Sequence, residues 1–164
     1  MLDLACGHAL LAHVMILLDD SSPNALAIDS RVPQSAPKIH ETLVRHWPRL
    51  AGRVAFVEAP LSSVAAEHGD LLVSCHACGR LSDDVLTQAI AAHARVVILP
   101  CCHEAGNHDE GGLGGWVDFS LAIDATRAAR LARAGYAVHT QRIPAAITPK
   151  NRLLLGEPLP VPDT

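Results

Sequence analysis

The chain has 164 residues, 49% hydrophobic but only 3% aromatic, with 13 basic and 17 acidic side chains and a formal charge of −4. That length holds one domain with a continuous core and excludes two well-formed ones, while the acidic balance excludes the broad phosphate neutralisation on which non-specific nucleic-acid binding depends. The longest apolar stretch, Ala9 to Leu18, is interrupted by His13, is too short for a bilayer and lacks a basic lead-in or small-residue cleavage site, so neither a membrane span nor a secretion signal is expected.

Along the chain, Leu2 to Leu4 reads as a short strand that turns at Cys6-Gly7 into a helix through Ala9, Leu10, Ala12, Val14, Ile16 and Leu17. Turn formers from Asp19 to Asn24 precede a second strand, Ala25 to Ile28, ending at Asp29. Pro33 and Pro37 mark a loop and a helix start, and Ile39, Leu43, Val44 and Trp47 recur at helical spacing until Pro48. Arg53 to Val57 is a third strand with Glu58 at its carboxyl end, and Ser62 to His68 reads as a short helix.

Leu71 to Val73 is a fourth strand, and Ser82 with Asp83 offers an N-cap for a helix through Val85, Leu86, Ala89 and Ile90. Val96 to Leu99 is a fifth strand, and Glu104 to Gly115, rich in glycine, is a loop. Val117 to Ala134 suggests a long helix ended by Gly135. Tyr136 to Ile143 and Arg152 to Leu155 read as closing strands, so residues 1–157 form one domain and 158–164 an extended proline-rich tail. Strands alternating with helices and followed by a strand pair imply an α/β doubly wound sheet of about seven strands, mostly parallel with an antiparallel edge. The scarcity of rings fits such a core of Ala, Val, Ile and Leu.

Ligands in these sheets bind at strand carboxyl ends, near the point where strand order reverses. Gly7, Asp29 and Glu58 would share that edge, and Asp29 follows the first turn at about the twenty-residue spacing of a ribose-binding acid. It equally suits a turn cap. Five cysteines, two of them adjacent, do not form the framework that a small secreted fold needs, so reduced thiols in a cytoplasm are expected.

The stretch Leu2-Asp3-Leu4-Ala5-Cys6-Gly7-His8-Ala9 resembles the first motif of class I S-adenosylmethionine-dependent methyltransferases, in which an acidic residue precedes three spaced glycines; only Gly7 is retained. Cys75-His76-Ala77-Cys78-Gly79-Arg80-Leu81-Ser82-Asp83 and Pro100-Cys101-Cys102-His103 resemble a methyltransferase-like group that includes tRNA 2'-O-methyltransferase relatives and glutathione S-transferase C-terminal-domain-containing proteins. Ile147-Thr148-Pro149-Lys150-Asn151-Arg152 is similar to the closing stretch of that group, and the likeness spans Leu2 to Pro158. It implies a Rossmann-like fold and S-adenosylmethionine as cofactor, bound among Asp3, Cys6, Gly7, Asp29, Glu58 and Cys75. It also implies methyl transfer to an oxygen or nitrogen acceptor, with RNA suggested by the group alone. His76 and His103, after adjacent strands, are the candidate bases. A non-catalytic binding module is the alternative, and a partner protein is expected to complete the pocket.

The Cys/His cluster carries three readings: small residues lining a crevice, a zinc site drawn from Cys75, Cys78, Cys101 and His103, or thiol redox chemistry. Adjacent Cys101 and Cys102 are expected to point apart and not to share one ion. Lys150, Arg152, Arg31 and Arg80 are candidates for an anion-binding rim. Asp124 and Arg127 are expected as a solvated pair, and His8, His13, His40, His46, His68, His93 and His139 mostly as surface residues.

Overall fold

Short apolar runs become strands and helically spaced ones become helices: β1 Leu2–Leu4, α1 Leu10–Leu18, β2 Ala25–Asp29, α2 Ala36–His46, β3 Val54–Glu58, β4 Leu71–Ser74, α3 Arg80–Ala92, β5 Arg95–Ile98, α4 Phe119–Arg133, β6 Tyr136–Arg142 and β7 Arg152–Pro158. This computed structural model describes residues 1–75, 77–103 and 108–160. The strands form one sheet in the order β3-β2-β1-β4-β5-β7-β6. The first five are parallel, and β7 and β6 close the sheet antiparallel. From β1 the chain steps outward to β3 and then returns to β4 on the other side, so strand order reverses between β1 and β4.

Alternation along the strands builds two cores. Leu2, Leu4, Ile28, Leu72, Val96 and Ile98 meet Val85, Leu86 and Ala89 of α3 and Leu131 of α4. The intervening Ala25, Ala27, Val54 and Val73 meet Ala12 and Ile16 of α1 on the opposite face. Each fully buried Leu, Ile or Val contributes about 1.5–3 kcal/mol of transfer free energy. Asp3, between Leu2 and Leu4, therefore enters the α1 face, where its Oδ2 accepts the Ala12 N–H at 3.1 Å. Gly156 stands at a close approach: a Cβ there would lie 3.0 Å from Leu131 and Tyr136 side-chain carbons, which would have to give way.

The seven-strand doubly wound α/β sheet is as expected, with local differences. The segment expected as a helix from Ser62 to His68 contains only a 3-10 turn, Leu61–Ser63. The Glu67 N–H, which a continuing helix would use, is taken by the Asp70 carboxylate at 2.9 Å. α3 starts earlier than the Ser82-Asp83 cap would place it, with Gly79 as the N-cap residue. Ser82 instead donates to the Ala77 carbonyl at 2.5 Å, and Asp83 is held by Arg127. α4 is capped by Asp118, whose Oδ1 accepts from Leu121 N at 3.0 Å. β7 extends three residues beyond Leu155, and its final residue, Pro158, pairs with Tyr136. Among the described residues no helix is long and apolar enough to cross a membrane.

Candidate functional site

The turn after β1 keeps a backbone that its side chains oppose. Ala5, Gly7 and Ala9 all adopt left-handed φ values of 57°, 54° and 57°, a region that costs an L-residue roughly 1–2 kcal/mol. The two alanines thus hold the conformation that glycine would adopt freely. We expect Ala5→Gly to raise stability by about 0.5–1 kcal/mol, as relief of strain exceeds the added chain entropy. Ala9→Gly should be near neutral, because Ala9 is fully buried and its lost methyl costs about 0.8 kcal/mol. Urea midpoints of the two variants would measure the difference.

At the strand reversal this turn forms one wall of a 160 Å³ crevice, lined by Asp3, Cys6, Gly7, His8, Leu10, Leu11 and Cys75. Four of the six expected cofactor residues, Asp3, Cys6, Gly7 and Cys75, are therefore brought together. Asp3 is 2% exposed. Burial, opposed by the Ala12 N–H and assisted by the charge of Asp29, pushes its carboxyl up to about 6. Burial, followed by the charges of Asp3 and Asp29, pushes the Cys6 thiol up to about 12, and burial also raises Cys75. Both cysteines line the crevice as neutral thiols, in a field that favours a cationic ligand.

Asp29 and Glu58 stand opposite each other at the ends of β2 and β3, beside that crevice and not among its lining residues. Asp29 Oδ2 accepts from Gly7 N at 2.9 Å and Oδ1 from Arg31 N at 3.1 Å, so it fastens the motif turn. Glu58 accepts from Val32 N at 2.9 Å. Ser74, at the end of β4, donates to the Leu4 carbonyl at 2.6 Å and accepts from Ala77 N at 3.2 Å, stitching the two crevice walls together.

His76 lies outside the described residues. The other candidate base, His103, has a side chain only 3% exposed. Its Nε2 donates to Asp124 Oδ1 at 2.8 Å, and its buried Nδ1 has no partner among the described residues. Asp124 also accepts from Arg152 Nε at 2.7 Å and lies 3.5 Å from Arg127. Arg127 in turn forks onto Asp83 at 2.9 and 2.8 Å and donates to the Gly79 carbonyl at 3.0 Å. The Asp124–Arg127 pair expected in solvent is thus part of a buried network, Arg127 being 2% exposed. Sequence spacing shows the pair but cannot show that Asp83, on another helix, desolvates it.

Two further expectations change. Cys78, Cys101 and Cys102 converge, their sulfurs all within 4.8 Å of one another, because the Gly79 N–H bonds the Cys102 carbonyl at 3.1 Å and draws the two segments together. Cys75 and His103 are not in that group, and the adjacent cysteines do not point apart. His13 is buried, not superficial. Its Nδ1 donates to the Ala9 carbonyl at 2.6 Å, leaving Nε2 to accept from His40 at 2.9 Å, and burial lowers its proton affinity.

A family profile described as "Methyltransferase domain" matches residues 1–107, about two thirds of the chain. The chain belongs to this methyltransferase-domain family. Solved structures share the fold of the domain at low identity. The precorrin-6y C5,15-methyltransferase of Geobacter metallireducens GS-15 is 15% identical over 97% of this chain and 79% of that one, with a TM-score of 0.59. The ribosomal protein L11 methylase of Lactobacillus delbrueckii subsp. bulgaricus is 16% identical over 96% and 68%, with a TM-score of 0.54. TrmK of M. capricolum, solved with the natural cofactor product S-adenosyl-homocysteine, is 12% identical over 94% and 59%, with a TM-score of 0.55. A search of the curated proteins found no match.

Proposed function

We propose that this methyltransferase domain binds S-adenosylmethionine in the Asp3–Cys75 crevice and directs methyl transfer to an RNA acceptor. The observation that carries the reading is Asp3, a buried carboxylate that takes part in none of the ion pairs among the described residues. It sits beside a turn of three left-handed residues, of which Gly7, without a side chain, lines the crevice. The residues fit the cofactor, since an uncompensated buried anion is matched by an ammonium and a sulfonium. Bound S-adenosylmethionine supplies a methyl group on a positively charged sulfur, open to displacement by a nucleophile. Membership of the methyltransferase-domain family supports this, as does TrmK with its bound cofactor product.

The chain's own residues supply binding and positioning. Asp3 receives the cationic end of the cofactor, and Gly7 lets backbone approach it. Asp29 holds the turn in place through Gly7 N. Asp124 fixes the His103 tautomer with Nδ1 as the lone-pair nitrogen, and His103 takes the acceptor proton there. An RNA acceptor is supported by a 330 Å³ recess in which, beside Asp109 and the Asp83–Arg127 pair, Arg80, Arg130 and Arg133 supply a modest excess of positive charge on an acidic chain. The crevice is smaller than the roughly 300 Å³ common for ligand pockets, so a partner protein completing its open side belongs to the proposal. The affinity with tRNA 2'-O-methyltransferase relatives and a reducing, cytoplasmic setting belong to it as well.

The test is incorporation of labelled methyl groups into RNA, protein and small-molecule pools from cell extract, beside calorimetric titration with S-adenosylmethionine. Label in RNA is expected. His103→Asn should lower the transfer rate by about a hundredfold or more while leaving cofactor affinity close to that of the parent, with rates compared below the melting temperature of the variant. Cofactor binding with no transfer to any pool would identify a binding module instead.

A further inference from the structure

The methyl-transfer reading uses Cys6 and Cys75 and leaves Cys78, Cys101 and Cys102 without a role. These three come from two segments, the turn before α3 and the stretch after β5. Their sulfurs approach at 2.9 Å between Cys78 and Cys101 and 3.7 Å between Cys101 and Cys102. All three are free thiols, Cys101 half-buried and the other two exposed, so an ion can reach them from solvent.

We propose that Cys78, Cys101 and Cys102 form a thiolate site for one soft cation, zinc(II). Zinc bound to sulfur at about 2.3 Å in a tetrahedron sets its sulfurs about 3.8 Å apart. The Cys101–Cys102 distance already matches, and the Cys78–Cys101 pair reaches it by opening about 0.9 Å, a change within side-chain rotation. A disulfide between Cys78 and Cys101 would use two sulfurs and leave the third beside it unexplained, whereas a metal uses all three. Each thiol gives its proton to solvent as its sulfur binds, so three protons leave per zinc, and water takes the fourth position. The site would clamp the segment after β5 to the turn before α3, reinforcing the Gly79–Cys102 backbone bond. The proposal does not depend on the methyl-transfer reading.

The experiment is elemental analysis of the full chain purified reduced and without chelator, followed by zinc and cobalt titration of the metal-free protein. One zinc per chain, thiolate-to-cobalt charge-transfer absorption and release of about three protons per ion are expected. Cys78→Ser, Cys101→Ser and Cys102→Ser should each weaken zinc at least a hundredfold, and Cys6→Ser should not. The cobalt spectrum of the unaltered protein keeps the test decisive if a serine variant fails to fold. A reduced, folded chain that takes up neither metal would overturn the site. So would uptake indifferent to all three substitutions, or loss of two hydrogens on mild oxidation in a protein that binds no metal.

Discussion

Arg127→Met is expected to lower the unfolding free energy by about 3–5 kcal/mol, read as a shift in urea midpoint at constant slope. The guanidinium is buried and makes a two-pronged bond to Asp83, with Asp124 and the Gly79 carbonyl completing its shell. The intact network contributes little net stability, because removing its charges from water offsets their attraction. Loss of the cation alone is different. Asp124 keeps Arg152, but the matched partner of Asp83 is gone, leaving a half-buried carboxylate with the His108 ring at 3.5 Å. Burial works against ionisation of Asp83, yet the bonds and charge of Arg127, with His108 beside it, hold its carboxyl below the ordinary range. That contribution is complete above the unfolded value and is lost as pH falls through the lower folded one. The variant should therefore lose much of its disadvantage in strong acid. Arg127→Lys keeps charge without the planar fork and should fall between parent and Met. A loss below about 1 kcal/mol for Met would mean that the network is held by other contacts.

The same network shows where sequence reasoning reaches its limit. Strand periodicity placed β1, β2, β4 and β5 correctly because each apolar run is bounded by turn formers, and the motif turn at Gly7 located the crevice wall. What could not be read is long-range: Asp83, Asp124, Arg127 and Arg152 meet from three elements. Their types and spacings fit solvated helix faces equally well. Ser82 and Asp83 have the composition of an N-cap, yet tertiary partners claimed both side chains, and Gly79 took the cap position. His13 looked superficial because one polar residue interrupts an apolar helix. Its burial depends on His40, supplied by α2. The cysteine grouping was half legible: alternation in an extended chain separates neighbouring side chains, but Cys101 and Cys102 lie past the end of β5, where that rule no longer applies.

Asp3→Asn should separate folding from cofactor capture, with opposite signs. In the folded protein the Asp3 carboxyl is raised from 3.8 to about 6, chiefly by burial. The native state then binds more protons than the unfolded chain between those values, so stability falls as pH rises through about 6. At 1.36 kcal/mol per unit, the ionised group costs the folded ligand-free protein on the order of 3 kcal/mol above that pH. Asparagine keeps an oxygen for the Ala12 N–H and carries no charge, so the variant should be more stable than the parent at pH 8 and nearly equal to it at pH 4. Cofactor binding should move the other way. The parent's affinity for S-adenosylmethionine should rise with pH through about 6 as Asp3 ionises. The variant's affinity should be flat across that range and about a hundredfold weaker at pH 8, equivalent to about 2.7 kcal/mol. Paired melting and calorimetric titrations at pH 4 and 8 provide both readings. A stabilised variant that binds the cofactor as tightly as the parent would remove Asp3 from the binding site while leaving its burial intact. A variant that loses both stability and affinity would mean that the ionised carboxylate stabilises the β1–α1 junction, contrary to the sign derived from its burial.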